Sequence, residues 1–557
     1  MRTCQQMALT LPEAALDIEP AGGIVDEQQL CAVAWALAGY GCLKDVNRAE
    51  AGLIAKADES PSSAAVERIA ALIQSGDDPL GNAFASLRSA AQRRKLGATY
   101  TPASLIGPMS EWLASHKRAS RVVDPGAGSA RFLAAAGRLL PEARLVAVEI
   151  DPLASLVARA NLTALGFDER SEVHTADFRS LKLATVPGPT AFIGNPPYVR
   201  HHDIAPKWKA WLRERSEELG LKASALAGLH VHFLLATAHL AQMGDYGVFV
   251  TSSEWLDVGY GQLARELVAG PLGGLSVHVL DARRQAFADA ATTAAVTAFE
   301  VGESRRGVRV RKIERTEDLR GLQGGKRFGR EKLRTTRRWS SLLEPKVRVP
   351  SEFVPLGDIC RVHRGAVTGA NAMWVTKQHD PRLPNAVLFP AVTKASELID
   401  LGSAFLGDDH HLRAVIDLPE DLDILDPDGR ELVERFLRSA RRAGAASGYI
   451  ARHRKPWWSV KLRDPAPILA TYMARRPPTF VRNLVAARNL NTVHGIYPMR
   501  QLSELALCRL TKALRDSTSL TGGRTYAGGL TKFEPSEMAQ LMVPPPNWLE
   551  SGEPWPS

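Results

Sequence analysis

"VVDPGAGSARF", residues 122–132, decides how the rest of the chain is read. Two valines lead into an acidic residue, Asp124, then a Pro-Gly-Ala-Gly turn, then Ala/Leu-rich sequence with the composition of a helix. A β-branched run favours a strand, and glycines let the backbone of the next turn come close to a ligand. In a doubly wound sheet, ligands sit at the carboxyl ends of the strands, where this turn falls. The spacing is not the G-x-G-x-x-G of a dinucleotide fold, and no Gly-Lys-Ser/Thr follows, so a nucleoside di- or triphosphate is not expected.

The same alternation continues outward. "RLVAVEI", "PLASLVARANLTALG", "TAFIGN", "ALAGLHVHFLLATAHLAQM" and "YGVFVTS" interleave short strands with helices. That order predicts βαβ units and an α/β, Rossmann-like, doubly wound, mostly parallel sheet from residue 121 to about 300. Two more strand ends carry chemistry. "VAVEIDP" puts Glu149 where a carboxylate can accept both hydroxyl hydrogens of a ribose; "TADF" puts Asp177 and Phe178 where an acid and a ring can meet an adenine. A fourth strand ends in "NPPY", residues 195–198. Prolines fix φ and give up backbone donors, so Pro196 and Pro197 end the strand and hold Asn195 and Tyr198 rigid.

At 557 residues the chain needs two or three cores. With 45% apolar and 23% charged residues it has the composition of a globular protein and not of a disordered one. The net charge is +10, and residues 301–350 alone hold 16 Lys/Arg against 6 Asp/Glu. A belt of that kind suits a polyanion such as nucleic acid, or is a solvated Arg-rich linker. Cys4, Cys31, Cys42, Cys360 and Cys508 show no paired or metal-ligand spacing, so neither disulfides nor a structural metal are expected. The first twenty residues lack the pattern of a signal peptide, and "AVAWALAGYGCL" at 32–43 is too short to span a bilayer. A cytoplasmic protein without membrane contact is expected.

"DPGAGSARF", "VEIDP", "ADF" and "NPPY" resemble, in this order, the motifs of S-adenosylmethionine-dependent amino-methyltransferases. "RRKLGATYTP" at 93–102 is similar to the motif that precedes the cofactor loop in the gamma-class adenine-specific DNA methyltransferases. "YGVFVTSSEWLDVGYGQLAREL" at 246–267 and "QAFADAATTAAVTAFEVGE" at 285–303 continue that likeness. "PLGDICRVHRGAVTGAN" at 355–371 and "GGLTKFEPSEMAQLMVPPP" near the end resemble the two ends of the target-recognition domain of TaqI-like and Eco57I-like methylases. The resemblance covers roughly 90–547. It implies a class I methyltransferase fold with S-adenosylmethionine as cofactor, held by Thr99, Tyr100, Pro102, Asp124, Gly126, Gly128, Glu149, Ile150, Asp177 and Phe178. It implies catalysis by Asn195, Pro196, Pro197 and Tyr198 on the N6 amine of an adenine flipped out of double-stranded DNA. Tyr198 and Phe287 would stack on that base. A separate restriction endonuclease or defence-system subunit is the implied partner.

The expected organisation is a helical N-terminal region at 1–90, a catalytic domain at 91–303, a basic connector at 304–350, an α+β target-recognition domain at 351–547 and a tail at 548–557. The N-terminal helices lack an Asp…Glu-x-Lys nuclease signature and are expected to form a cap or partner surface. NPPY also serves enzymes acting on ribosomal RNA bases or protein glutamine, and a non-catalytic DNA-binding relic is a third reading. The long region after the basic belt favours DNA, and intact Asp124, Glu149, Asp177 and Asn195 favour catalysis. His230, His232 and His239 are read as packed or capping residues, and His201 and His202 as surface loop. Trp457 and Trp458 are either a DNA-contacting face or core. Arg482, Asn483, Arg488 and Asn489 are of types able to read base edges, or lie solvated on a helix.

Overall fold

The computed structural model describes the backbone of residues 15–16 and residues 24–39, 46–57, 60–89, 92, 97, 100–281, 293–302, 307–343, 350–518, 522–525 and 530–553. The chain divides into two compact units, Met1–Leu343 and Glu344–Ser557.

The first unit is built on a sheet of nine described strands: β1 (Arg121–Asp124), β2 (Arg144–Glu149), β3 (Ser171–Thr175), β4 (Thr190–Gly194), β5 (Tyr246–Ser252), β6 (Gly274–Leu280), β7 (Ala294–Glu300), β8 (Val308–Ile313) and β9 (Lys326–Phe328). Their order is β9-β8-β6-β7-β5-β4-β1-β2-β3. β1 to β5 pair in parallel; β7 runs antiparallel to both β5 and β6. Successive residues serve opposite faces, as the two-residue period of a strand demands. Val122, Leu145, Ala191 and Val248 join one core, and Val123, Val146, Phe192 and Phe249 the other. Helices cover both faces, which is why these strands read as apolar runs without alternation. The strand order turns about between β1 and β4, and the crevice at such a switch point is where this architecture places ligands.

Ahead of the sheet lie helices α1 (Glu27–Leu37), α2 (Arg48–Ile54), α3 (Ser63–Ser75) and α4 (Pro79–Leu87). Next come α5 (Ala103–His116), α6 (Arg131–Leu139), α7 (Pro152–Ala164), α8 (Pro206–Glu218) and α9 (Leu229–Leu240). Leu30, Val33, Ile69 and Phe84 from the N-terminal helices share a core with Leu153, Leu156 and Val157 of α7.

The expected basic connector is not a linker in its described part. In "VRVRKI", Val308, Val310 and Ile313 are buried while the basic residues between them face outward. That alternation makes β8, which joins β6 in parallel. The charge count had masked a half-buried strand, and the boundary between units falls after Leu343.

The second unit is α+β. One sheet comprises Cys360–Arg364, Val493–Pro498, Ile468–Thr471, Phe480–Asn483 and Phe405–Leu406; another comprises Val375–Thr376, Arg413–Ile416, Leu388–Val392 and Arg488–Asn489. Trp457 and Trp458 are half-buried against the core around Trp374 and Phe436. The Trp458 indole donates to the Pro419 carbonyl at 3.1 Å. Arg482, Asn483, Arg488 and Asn489 lie in two short strands joined by the irregular residues 484–487, not on a helix, and three of the four are spent on structure. Arg482 donates to Glu504 and to the carbonyls of Pro467 and Asn483, Asn483 to those of Ala466 and Ala487, and Asn489 to that of Val493. Among the described residues, no helix is long and apolar enough to cross a membrane, and no His/Cys/Asp/Glu group is arranged to hold a metal ion.

Candidate active site

β1 delivers Asp124 to the bottom of the glycine turn, where it is fully buried. Its Oδ1 accepts from the Gly126 N–H at 3.2 Å, while its Oδ2 has no hydrogen-bond partner among the described residues. Burial pushes the Asp124 carboxyl up to about 8. Gly128 has φ +53°, a conformation glycine adopts without steric cost, and its N–H donates to Glu149 Oε2 at 2.9 Å. Glu149 Oε1 accepts from the Ile150 and Asp151 N–H groups at 2.9 and 3.0 Å. Burial raises the Glu149 carboxyl, and these three donors oppose the rise. The acid expected to meet a ribose therefore also ties β1's turn to the end of β2. A carboxylate has about four acceptor positions, so capacity remains for a ligand hydroxyl.

Asp177 ends the third strand with its carboxylate already engaged. Oδ1 accepts from the Arg179 N–H at 3.0 Å and Nε at 2.9 Å, and Oδ2 from Nη2 at 2.6 Å. The Arg179 guanidinium lies 3.8 Å from the centre of the Trp208 ring on α8. Phe178 is buried, its ring 5.3 Å from that of Phe233.

The NPPY turn leaves β4 toward the same crevice. The Gly97 carbonyl accepts from the Tyr198 N–H at 3.2 Å. A Cβ on Gly97, whose φ is +66°, would sit 2.6 Å from that nitrogen, so only glycine lets the upstream segment come this close. The Asn195 amide is held at both ends: Nδ2 donates to Thr101 Oγ1 at 3.0 Å, and Oδ1 accepts from the Tyr198 hydroxyl at 2.7 Å. Burial raises the Tyr198 phenol above its usual range, which keeps it protonated and a donor. Among the described residues, none donates to the Pro196 carbonyl.

One pocket gathers Tyr100, Gly126, Gly128, Glu149, Ile150, Asp177, Phe178, Asn195 and Pro197. Asp124, Pro102, Pro196 and Tyr198 do not line it: Asp124 lies beneath the turn, and Pro102 caps α5. Thr99 and Phe287 lie outside the described residues. The pocket also takes in Phe84, Thr101, Arg131, Asp151, Arg179 and Phe233, which the motifs do not single out. Thr101 inside "ATYTP", Arg131 inside "DPGAGSARF" and Asp151 inside "VEIDP" had a signal in their positions; Phe84, Arg179 and Phe233 had none. His230 and His232 are buried in α9, and burial lowers them to about 4 and about 3, so both are neutral packing residues. His239 bonds the Arg215 carbonyl, and His201 and His202 form an exposed to half-exposed turn.

Carboxylates at three strand ends, the partnerless Asp124 oxygen and the rings of Phe84, Phe132, Phe178 and Phe233 suit a nucleoside with a cationic group.

Family models for the Eco57I restriction-modification methylase and for the C-terminal domain of the type II methyltransferase M.Eco57I match residues 190–270 and 340–553. The chain is 49% identical over 467 residues to the type II methyltransferase M.XamI of Xanthomonas campestris pv. amaranthicola, covering 84% of this chain and 87% of that protein. The chain belongs to the Eco57I-like restriction-modification methyltransferases. This methyltransferase is also 23% identical over 471 residues to type II methyltransferase M.AccI of Acinetobacter calcoaceticus, covering 81% of this chain and 86% of that one. Over 103 residues, 18% of the methyltransferase and 40% of the relative, it is 29% identical to a tRNA1(Val) (adenine(37)-N6)-methyltransferase of Porphyromonas gingivalis. Its cofactor is S-adenosylmethionine and its reaction the methylation of DNA.

Proposed function

We propose that the methyltransferase modifies the N6 amine of one adenine in a specific duplex sequence, and that a separate endonuclease reads the same sequence. The observation that carries this is the Asn195 amide, anchored by Thr101 and Tyr198 on a proline-stiffened turn that opens on the cofactor pocket.

S-adenosylmethionine supplies an electrophilic methyl on a sulfonium. Within the pocket, Glu149 and Asp177 would hold the nucleoside part, with Phe178 against its base. Asp124 lies below, with an unused acceptor for a cation. An aryl amine is a weak nucleophile because its lone pair is delocalised into the ring. Asn195 Oδ1 and the Pro196 carbonyl accept the amine's two hydrogens, which favours a tetrahedral nitrogen and frees the lone pair. With the cofactor bound, that lone pair would take the sulfonium's methyl as the S–CH3 bond gives way, and the extra proton would pass to solvent, since the alkylated amine is strongly acidic. The acceptors are fixed before the reaction, so orientation and charge stabilisation need no rearrangement. A base inside a duplex cannot reach this turn, so it must leave the stack, with Tyr198 on one side and Phe287 as the proposed second ring.

The test is expression in a methylation-deficient bacterial host, with modified-base sequencing of the host genome. Modified adenine in one recurring motif, absent with Asn195→Ala, supports the reading. Modified cytosine, or an unmodified genome with abundant folded protein, overturns it.

A further inference from the structure

The N-terminal helices converge on one carboxylate at the cofactor turn. Asp78, at the start of α4, accepts four hydrogen bonds. Oδ1 takes the Gly81 N–H at 2.8 Å and Asn161 Nδ2 at 3.0 Å; Oδ2 takes Ser129 Oγ at 2.5 Å and Arg131 Nε at 2.6 Å. Ser129 directly follows Gly128 of the turn and Arg131 opens α6 two residues later, and Asn161 also donates to the Ser129 carbonyl at 2.8 Å. One acid of the N-terminal region therefore fixes the far side of the turn. A Cβ on Gly81 would stand 2.6 Å from Ser129 Oγ, so α4 presses directly on it.

The same helix reaches the pocket. Phe84, one turn beyond Gly81, is 4% exposed and lines the cofactor pocket beside Asp151 and Ile150. Arg88, at the end of α4, lies 4.5 Å from the Phe84 ring and pairs with Asp151. Behind this contact, Glu50 of α2 is fully buried and pairs with Arg159 of α7 at 2.9 Å. An outward-facing partner surface would not set a charged hub against the glycine turn and an aromatic ring in the ligand pocket.

We propose that the N-terminal helices form a working wall of the S-adenosylmethionine site, with Asp78 as a positioning residue for the glycine turn and Phe84 as a cofactor-contacting residue. This rests on the cofactor placement proposed above, and not on the choice of adenine. Cofactor binding and the seating of α3 and α4 are then linked, because a ligand that touches the seated form alone stabilises that form.

The experiment uses the full chain and S-adenosylhomocysteine as an unreactive probe, with calorimetry and hydrogen exchange. Exchange in residues 63–87 slows at least fivefold on saturation. Asp78→Asn, which keeps the shape but turns a donor toward Arg131, weakens binding about tenfold. In turnover it raises the KM for S-adenosylmethionine similarly, with kcat and the KM for DNA within threefold. Phe84→Leu weakens binding three- to tenfold without unfolding, and decides the matter if Asp78→Asn fails to fold. Unchanged exchange together with wild-type affinity in the variants overturns the proposal, as does a loss confined to kcat. Normal probe binding with these effects but no adenine methylation upholds this inference and sinks the proposed reaction. Absence of probe binding by the folded chain sinks both.

Discussion

Replacing Thr101 by valine isolates the role of the Asn195 anchor. The two side chains have nearly the same shape, and Thr101 is only 5% exposed, so the change removes one oxygen from a closed site with little loss of packing. That oxygen accepts from Asn195 Nδ2 at 3.0 Å. The amide then has two courses. It can keep its orientation with a weakened donor, at a cost of about 1–3 kcal/mol for a buried group deprived of its partner. It can instead rotate by half a turn, with its NH2 toward the Tyr198 oxygen. In that arrangement a donor stands where the target amine needs an acceptor. Both courses withdraw the productive geometry, and 1–3 kcal/mol corresponds to a fall of about 5- to 150-fold in kcat/KM for DNA. The assay is methyl transfer from labelled S-adenosylmethionine to a duplex carrying the mapped motif, with cofactor affinity measured separately by calorimetry. Thr101→Ser keeps the oxygen and is expected to stay within about threefold of wild type. Thr101→Val activity within twofold of wild type, or a loss that serine fails to restore, would refute the reasoning.

Asn195→Ala removes the carbonyl proposed to accept from the target amine and should lower kcat about 100- to 1000-fold, the range for a lost preorganised polar contact; affinity for S-adenosylhomocysteine should change less than threefold, and a large affinity loss would place Asn195 on the cofactor instead. Arg179→Lys cannot reproduce the forked pairing with Asp177, so the KM for S-adenosylmethionine should rise about tenfold with kcat little altered; an unaltered KM would show that Asp177 needs no such support. The Asp124 carboxyl is raised from 3.8 to about 8 in the cofactor-free fold. A group whose pKa is raised on folding contributes stability that is full below its unfolded value and is lost as pH rises through its folded value. Thermal melts of the cofactor-free protein should therefore fall as pH rises from about 5 to about 8 and level off above, with a slope that Asp124→Asn flattens; an identical slope in the variant would contradict this.

The catalytic fold was legible because its strands are buried on both faces and its turns need particular residues. Asp124, Gly128 and the NPPY prolines are chemically conspicuous, and Gly97 and Tyr198 sit in motifs that the chain folds together. Other residues of the pocket carried no mark. Phe84 reads as one more apolar position on an amphipathic helix, and Asp78 reads as a helix cap, which it also is. Asp78 meets Ser129, some fifty residues away, and Phe84 meets the pocket, contacts that no local pattern encodes. Arg179 is hidden for the opposite reason: it pairs two residues back with Asp177, and arginines are too common on surfaces to attract notice. The errors in the second unit have one physical source. Arg482, Asn483 and Asn489 have the donors that read bases, and the same donors satisfy buried carbonyls in short, irregular strands. In β8, charge concealed a two-residue period.

The two strands added beyond β6 have a further consequence. A sheet's outermost strand presents unpaired backbone groups to which another chain can add. Without β8 and β9 that strand would be β6, seven residues long with five of them buried. As built, the edge is β9, three residues long, with Lys326 and Arg327 exposed along it. It is too short and too charged to serve as a template. The arginine-rich stretch thus covers an apolar edge with a charged one, and a chain ending near Glu300 is expected to come out of solution as sheet-rich aggregate.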